Sequence, residues 1–403
     1  MRFGRRTRPR HKGKRLQRTM LAGVIAAAVV TGTAGWAAGQ EQTAVTGTPP
    51  GAAAWQADAV HGQRLPDPAS VEPADVARFF AGLSTEEQRA LAVRHPLVVG
   101  NLDGAPVALR YAANARAIAA ERDRQRARAK DPALTSEDHR TAHARAMRCA
   151  ELLAPGRQFL AFDPRGRGQV AEVYGDLANA GHVAVVVPGS DIDLATSDRR
   201  ESPGSMAKSL LAQANRQAPE SRTAVVAWTG YTTPVGLGPD AATGRLAEAG
   251  APRLERFLAG LAAVGAPAPT VFCHSYGSVV CGLAAPELSV REASDLVVFG
   301  SPGMRADTAA DLGTGARVWA ARDTSDWIRH VPNVDVLGLG HGEDPTEPSF
   351  GARVVSSTEA EGHTGYFAPG TDALRNFTAI TLGRFGEVSC AADGSRGCTD
   401  GLR

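Results

Sequence analysis

Lysine is scarce. The 403-residue chain has four lysines against forty arginines, and the rest of its composition is rich in Ala and Gly, a mark of GC-rich coding. Aromatic residues make up only 5%, too few for broad stacking platforms that would hold bases or sugars. Five cysteines occur, and no two share the Cys-x-x-Cys spacing of a structural zinc site. No internal repeat is present. Hydrophobic residues at 43% and charged residues at 21% exclude wholesale disorder.

Positive charge is also missing from most of the chain. The first 20 residues hold nine of the 44 Lys and Arg and no acid, leaving 35 basic against 42 acidic residues in the remainder. That mildly acidic body excludes a nucleic-acid surface. Behind the basic stretch, residues 21–30 are apolar and small residues run on to Gly39, with no charge between Arg18 and Glu41. A basic segment, a short apolar core and a small-residue exit describe an export signal. Residues 1–39 are therefore expected to be either a signal peptide, cut near Ala37, or a retained N-terminal membrane anchor. In both cases the protein is exported, secreted or tethered at the outer face of the cell membrane. An oxidising compartment permits disulfides. Cys390 and Cys398 flank a short loop and are expected to pair. Cys149, Cys273 and Cys281 remain, an odd number whose pairing spacing alone does not decide.

Residues 40–70, rich in Gly, Ala, Pro and Thr, read as a flexible linker. Residues 71–154 read as helices, with a capping box at Ser84-Thr85-Glu86-Glu87, a helix over 110–130 and another over 135–153. This segment is a possible lid. Over 155–385 the pattern changes to short β-rich runs (159–162, 169–174, 182–187, 223–228, 270–274, 295–299, 317–321) alternating with helical stretches such as 241–264. Residues 183–187 are continuously apolar, as a strand buried on both faces should be. The pattern predicts an α/β fold with a mostly parallel sheet flanked by helices. Its functional site belongs at the carboxyl ends of the strands. Residues 386–403 form a tail.

The chemistry concentrates in Thr270-Val271-Phe272-Cys273-His274-Ser275-Tyr276-Gly277-Ser278. An apolar strand runs into a sharp turn and then a helix, the context of a nucleophile elbow that lifts a serine hydroxyl above the sheet. Gly277 supplies the small residue two positions after Ser275; Cys273 stands where Gly is usual. His274 is read as a packing or hydrogen-bonding residue. A serine needs a base, and the base a carboxylate, in the chain order Ser, Asp or Glu, His. Asp326 is the preferred acid and Asp323 its alternative. His363, in a Gly-flanked loop, is the preferred base and His341 its alternative. Backbone N–H donors for an oxyanion are expected from Tyr276 and from Gly189 and Ser190 in the loop after residue 187. Asp191 and Asp193 read as turn caps, not as metal ligands. The chemistry calls for no cofactor and no metal.

These pieces resemble an actinobacterial α/β-hydrolase family carried as a domain of unknown function. The matching motifs are Pro96-Leu97-Val98-Val99-Gly100-Asn101-Leu102-Asp103-Gly104-Ala105-Pro106 with Arg110 and Asn114; Val186-Val187-Pro188-Gly189; His274-Ser275-Tyr276-Gly277-Ser278; His341-Gly342 with Asp344-Pro345; and Gly362-His363 with Tyr366-Phe367. They cover about residues 71–385. The resemblance implies an α/β-hydrolase fold with Ser275, Asp326 and His363 as a triad, and says little about substrate. The leading expectation is a serine hydrolase acting on a small-molecule or lipid acyl ester. The competing one is a non-catalytic surface protein that keeps the fold for binding, for which Cys273 is the best support.

Overall fold

A computed structural model describes residues 41–336, 338–392 and 397–402. The expected signal or anchor over 1–39 lies outside the described residues. Among those residues, no helix is long and apolar enough to cross a membrane.

The centre is an eight-stranded sheet built from β3 (Gln158–Asp163), β4 (Gln169–Tyr174), β5 (His182–Val187), β6 (Thr223–Thr229), β7 (Thr270–His274), β8 (Asp295–Phe299), β9 (Arg317–Ala321) and the short β12 (Arg353–Val354). Their spatial order is β12-β9-β8-β7-β5-β6-β4-β3. All neighbours from β12 to β6 are parallel, and the β3–β4 hairpin closes one edge antiparallel. Strands β6, β7 and β8 are buried along their whole length, which is why their sequences are nearly continuous apolar runs. Alternate residues still serve different faces. Val271, Cys273, Leu296 and Val298 pack under the helices α9 (Arg245–Ala263) and α10 (Gly277–Ala284). Phe272, Val297 and Phe299 pack under α7 (Pro203–Gln217) and α11 (Asp372–Thr381). The sequence stretch 241–264 is in fact two helices, α8 (Pro239–Ala242) and α9, separated at Thr243-Gly244.

Register positions the site. Val187 pairs with Cys273, His274 with Phe299, and Phe299 with Ala321. The strands therefore end in one row, and the loops that follow β5, β7, β8 and β9 emerge side by side.

Two expectations from the sequence are corrected. Residues 41–70 are not a flexible linker. They contain α1 (Ala52–Gln56) and the hairpin β1 (Ala59–Val60) with β2 (Gln63–Arg64). Trp55 is fully buried and donates its indole N–H to Pro66 O at 2.6 Å. Upstream, the backbone N–H of Gln42 and of Val45 reach Asp240 and Thr232 at 2.6 and 3.0 Å. The Gly- and Pro-rich composition conceals these few anchors.

Nor does 71–154 form a lid. Its helices are α2 (Pro73–Ala81), α3 (Thr85–Arg94), α4 (Pro96–Asn101), α5 (Val107–Arg128) and α6 (Ser136–Leu152). Ala117, Ile118, Cys149 and Leu152 pack on Phe159, Phe162 and Val170 of the edge hairpin. The buried Arg110 donates to Leu160 O from Nε at 3.0 Å, and Asn114 Nδ2 donates to Phe159 O at 2.8 Å. Gly260 of α9 is tight against Asp103, where an added Cβ would lie 2.7 Å from the Asp103 Cβ. The block buttresses the β3 edge. That edge is four strand positions from β7, about 19 Å at the usual interstrand spacing.

The tail carries the disulfide Cys390–Cys398. Arg353 donates to Cys398 O at 2.6 Å, which docks the tail on the β12 edge. The hairpin β10 (Asp335–Val336) with β11 (Leu339–Gly340) belongs to the long loop between β9 and β12.

Candidate active site

Ser275 stands between the end of β7 and the start of α10 at φ +52°. A left-handed conformation at a residue with a Cβ costs roughly 1–3 kcal/mol and persists only where its surroundings enforce it. Here the Ser275 N–H donates to Phe299 O at 3.1 Å, and Ser278 Oγ donates to Cys273 O at 3.1 Å. The Tyr276 hydroxyl donates to Thr243 O at 2.7 Å and accepts from the Ala247 N–H at 3.2 Å, fastening the turn to the start of α9. Two glycines admit the close approach. A Cβ on Gly277 would lie 2.6 Å from Pro188 O, and one on Gly189 would lie 2.6 Å from the Ser275 Cβ. Cys273 is disulfide-bonded to Cys281, and Cys149 is left as a buried free thiol. The side chain that replaces the usual Gly thus points under α10 and is bonded to it.

Three side chains from separate loops meet at this turn. Ser275 Oγ lies 2.8 Å from His363 Nε2, and His363 Nδ1 lies 2.8 Å from Asp326 Oδ1. Asp326 is fully buried. With Nδ1–H donating to the carboxylate, Nε2 is left to accept the serine proton. Asp326 Oδ1 also accepts from the Ile328 N–H at 2.9 Å, and Oδ2 from the Tyr366 hydroxyl at 2.7 Å. Burial pushes the Asp326 carboxyl up, but the hydrogen bond and charge of His363 and the bonds from Tyr366 and Ile328 outweigh it. The net result is a carboxyl held below its ordinary value. Burial and the adjacent Asp326 charge push the Tyr366 phenol far up, so it stays a donor.

The alternative acid and base fall elsewhere. Asp323 is buried, and its carboxylate accepts from the N–H and hydroxyl of Ser325. It shapes the turn that delivers Asp326, and its own N–H donates to the Tyr366 hydroxyl at 3.0 Å. His341 hydrogen-bonds Ala241 O through Nε2 at 2.7 Å and packs edge-on against Tyr276, with ring centroids 5.5 Å apart. Neither is brought to Ser275. His274 stacks on Phe299, lies with its ring 4.7 Å from that of His363, and donates from Nε2 to His363 O at 2.7 Å. Burial, and then the charge of the nearby His363, push its pKa down to about 3, so its ring is neutral.

The loop after β5 lies against the serine, and Tyr231 OH donates to Pro188 O at 2.7 Å to hold it. Among the described residues, none accepts a hydrogen bond from the N–H groups of Gly189, Ser190 or Tyr276. Asp191 accepts from the Gly236 N–H at 2.8 Å. Asp193 accepts from the Ala195 and Thr196 N–H groups and pairs with Arg167 at 3.0 Å. Both carboxylates are thus occupied in holding the loop.

Sequence reasoning gave no separate role to two residues here. The Tyr366 hydroxyl touches both candidate acids, and its place three residues after His363 was the available signal. The Trp327 ring lies 4.6 Å from the His363 ring yet remains exposed. Its signal was adjacency to Asp326. Leu237, Val334 and Leu339 are also exposed, on the loops that leave the carboxyl ends of β6 and β9.

An alpha/beta hydrolase family model matches residues 163–336. An uncharacterized protein of Mycobacterium bovis is 33% identical over 195 residues, taking in 44% of this chain and 70% of that protein. The chain belongs to the alpha/beta hydrolase family. An uncharacterized protein of Mycobacterium tuberculosis is 30% identical over 377 residues, which takes in 79% of this chain but 57% of the relative's length. Among solved structures, esterase PE8 aligns at a TM-score of 0.34 and 20% identity, covering 52% of this chain and 95% of that one. A predicted CIB-like hydrolase from Thermoplasma acidophilum aligns at 0.35 and 11%, covering 57% and 97%.

Proposed function

We propose that this alpha/beta hydrolase is an exported serine hydrolase that cleaves acyl esters through Ser275, His363 and Asp326. The observation that carries the reading is the continuous hydrogen-bond chain from Ser275 Oγ through His363 to the buried Asp326, each link 2.8 Å. His363 Nε2 takes the serine proton as Oγ bonds to the substrate's carbonyl carbon. Asp326 fixes the imidazole tautomer and stabilises the imidazolium. The carbonyl oxygen becomes an oxyanion, received by the free N–H groups of Tyr276, Gly189 and Ser190. His363 then protonates the departing alcohol, leaving an acyl-serine. Water, deprotonated by His363, attacks the acyl carbon, and the proton returns to Ser275 as the acid leaves.

An apolar acyl group, from a small ester or a lipid, fits the exposed Trp327 ring beside His363. The two disulfides support export, since such bonds persist in an oxidising compartment. The binding-protein alternative rested on Cys273, and the bond to Cys281 gives that residue a structural reason. The test is hydrolysis of p-nitrophenyl esters of increasing acyl length by the wild type and Ser275→Ala. Turnover by the wild type alone is expected; equal turnover by both ends the assignment.

A further inference from the structure

A covalent bond spans the proposed nucleophile. Cys273 lies two residues before Ser275, at the last position but one of β7, and Cys281 lies six after it, inside α10. Both are completely buried. In an elbow the strand and helix approach so closely at this position that a side chain is normally absent. Here the close approach is turned into a bond, and the ring it closes contains the one left-handed serine of the turn.

We propose that the Cys273–Cys281 disulfide is a positioning element of the catalytic serine, so that full hydrolase activity requires this bond to be oxidised. The inference rests on the serine hydrolase reading above. The physical basis is specific to the location. The hydrogen bonds that hold the turn reach Ser275 from β8 and from Ser278 at the start of α10, so its geometry depends on how strand and helix are fixed to each other. Without the bond, β7 and α10 are held together only by the turn, the Ser278–Cys273 hydrogen bond and non-covalent packing, and the strained turn can relax against these weaker restraints. Displacing a nucleophile by about 1 Å from its base and from the oxyanion donors can cost up to about a hundredfold in rate. Among the described residues no hydrogen bond joins either sulfur to Ser275 or His363, so the effect of the disulfide is exerted through the backbone.

The chain carries its own control. Cys390–Cys398 has the same sequence separation, 8 residues, and holds the C-terminal tail far along the chain from the elbow. Two double variants, Cys273→Ala/Cys281→Ala and Cys390→Ala/Cys398→Ala, are compared with the wild type. The readouts are thermal melting, the rate of fluorophosphonate labelling, and kcat and KM on a p-nitrophenyl ester. The elbow variant is expected to label at least tenfold more slowly, with kcat lowered and KM within about twofold of the wild type. The tail variant is expected to melt lower while labelling at the wild-type rate. An elbow variant that labels as fast as the wild type overturns the proposal, as does an equal loss in the tail variant.

Should the elbow variant not fold, the wild type is titrated with dithiothreitol, quenched with iodoacetamide and sorted by peptide mass. Activity is expected to follow the fraction of intact Cys273–Cys281 bond. Activity that survives its reduction, or that follows the tail bond, contradicts the proposal. A wild type with both bonds intact that takes no label at Ser275 overturns the hydrolase reading, and this inference with it.

Discussion

Buried and neutral, His274 should cost the protein stability in mild acid, and replacing it with Gln should remove that cost. Its pKa in the fold is about 3, against an ordinary 6.5, because burial and the neighbouring His363 oppose the cation. The sign follows from proton counting. Below about pH 6.5 the unfolded chain protonates this histidine while the native chain does not until about pH 3. Stability from His274 is therefore complete above 6.5 and is lost as the pH falls through the window from 6.5 to 3. At pH 5 the unfolded state lies 1.5 units below its pKa, which at 1.36 kcal/mol per unit favours unfolding by about 2 kcal/mol. Urea unfolding of wild type and His274→Gln at pH 8 and pH 5 reads this directly. The hydrogen bond to His363 O is altered equally at both pH values and cancels in the difference. The drop in unfolding free energy between pH 8 and pH 5 should be about 2 kcal/mol smaller in the variant. Identical drops in the two proteins refute a buried, neutral His274. His341, also pushed down by burial, should leave a residual slope in both proteins.

Tyr366→Phe removes the donor on Asp326 Oδ2; kcat should fall about tenfold, some 1.4 kcal/mol. Because Asp326 is held low in the fold, its contribution to stability is present above the ordinary carboxylate range and lost below it. In the same variant acid unfolding should therefore begin at higher pH, read by circular dichroism. Gly189→Ala places a Cβ 2.6 Å from that of Ser275, and kcat/KM should fall by about a hundredfold; an unchanged value removes Gly189 from the site. Trp327→Ala should raise KM for long-chain esters several-fold and leave acetate esters nearly unchanged; a uniform effect on both denies Trp327 a role in acyl recognition.

The parallel sheet was legible because β5 to β9 are short apolar runs separated by helical stretches, and an apolar run of that length has few other solutions. The elbow was legible because its small residues and turn are local. The proposed acid and base stood in the sequence as pairs of candidates, with Asp326 and His363 preferred, since chain order limits where each can lie. The choice within each pair depends on tertiary geometry, which places Asp323 in the supporting turn and His341 behind Tyr276. Residues 41–70 were misread because their partners, such as Asp240 and Thr232, lie nearly two hundred residues away. The helical block 71–154 announces an apolar face but not what covers it, and the edge hairpin is the answer. The pairing of Cys273 with Cys281 was undecidable by spacing among three candidates. Once the strand and helix of the elbow are set side by side, their proximity decides it.

Intact-mass analysis after a fluorophosphonate probe tests the serine hydrolase proposal most directly. The wild type should gain the mass of one adduct, mapped by peptide digestion to Ser275, and folded Ser275→Ala should gain none. A folded wild type that takes no adduct, or an adduct that persists in Ser275→Ala, would contradict an activated Ser275.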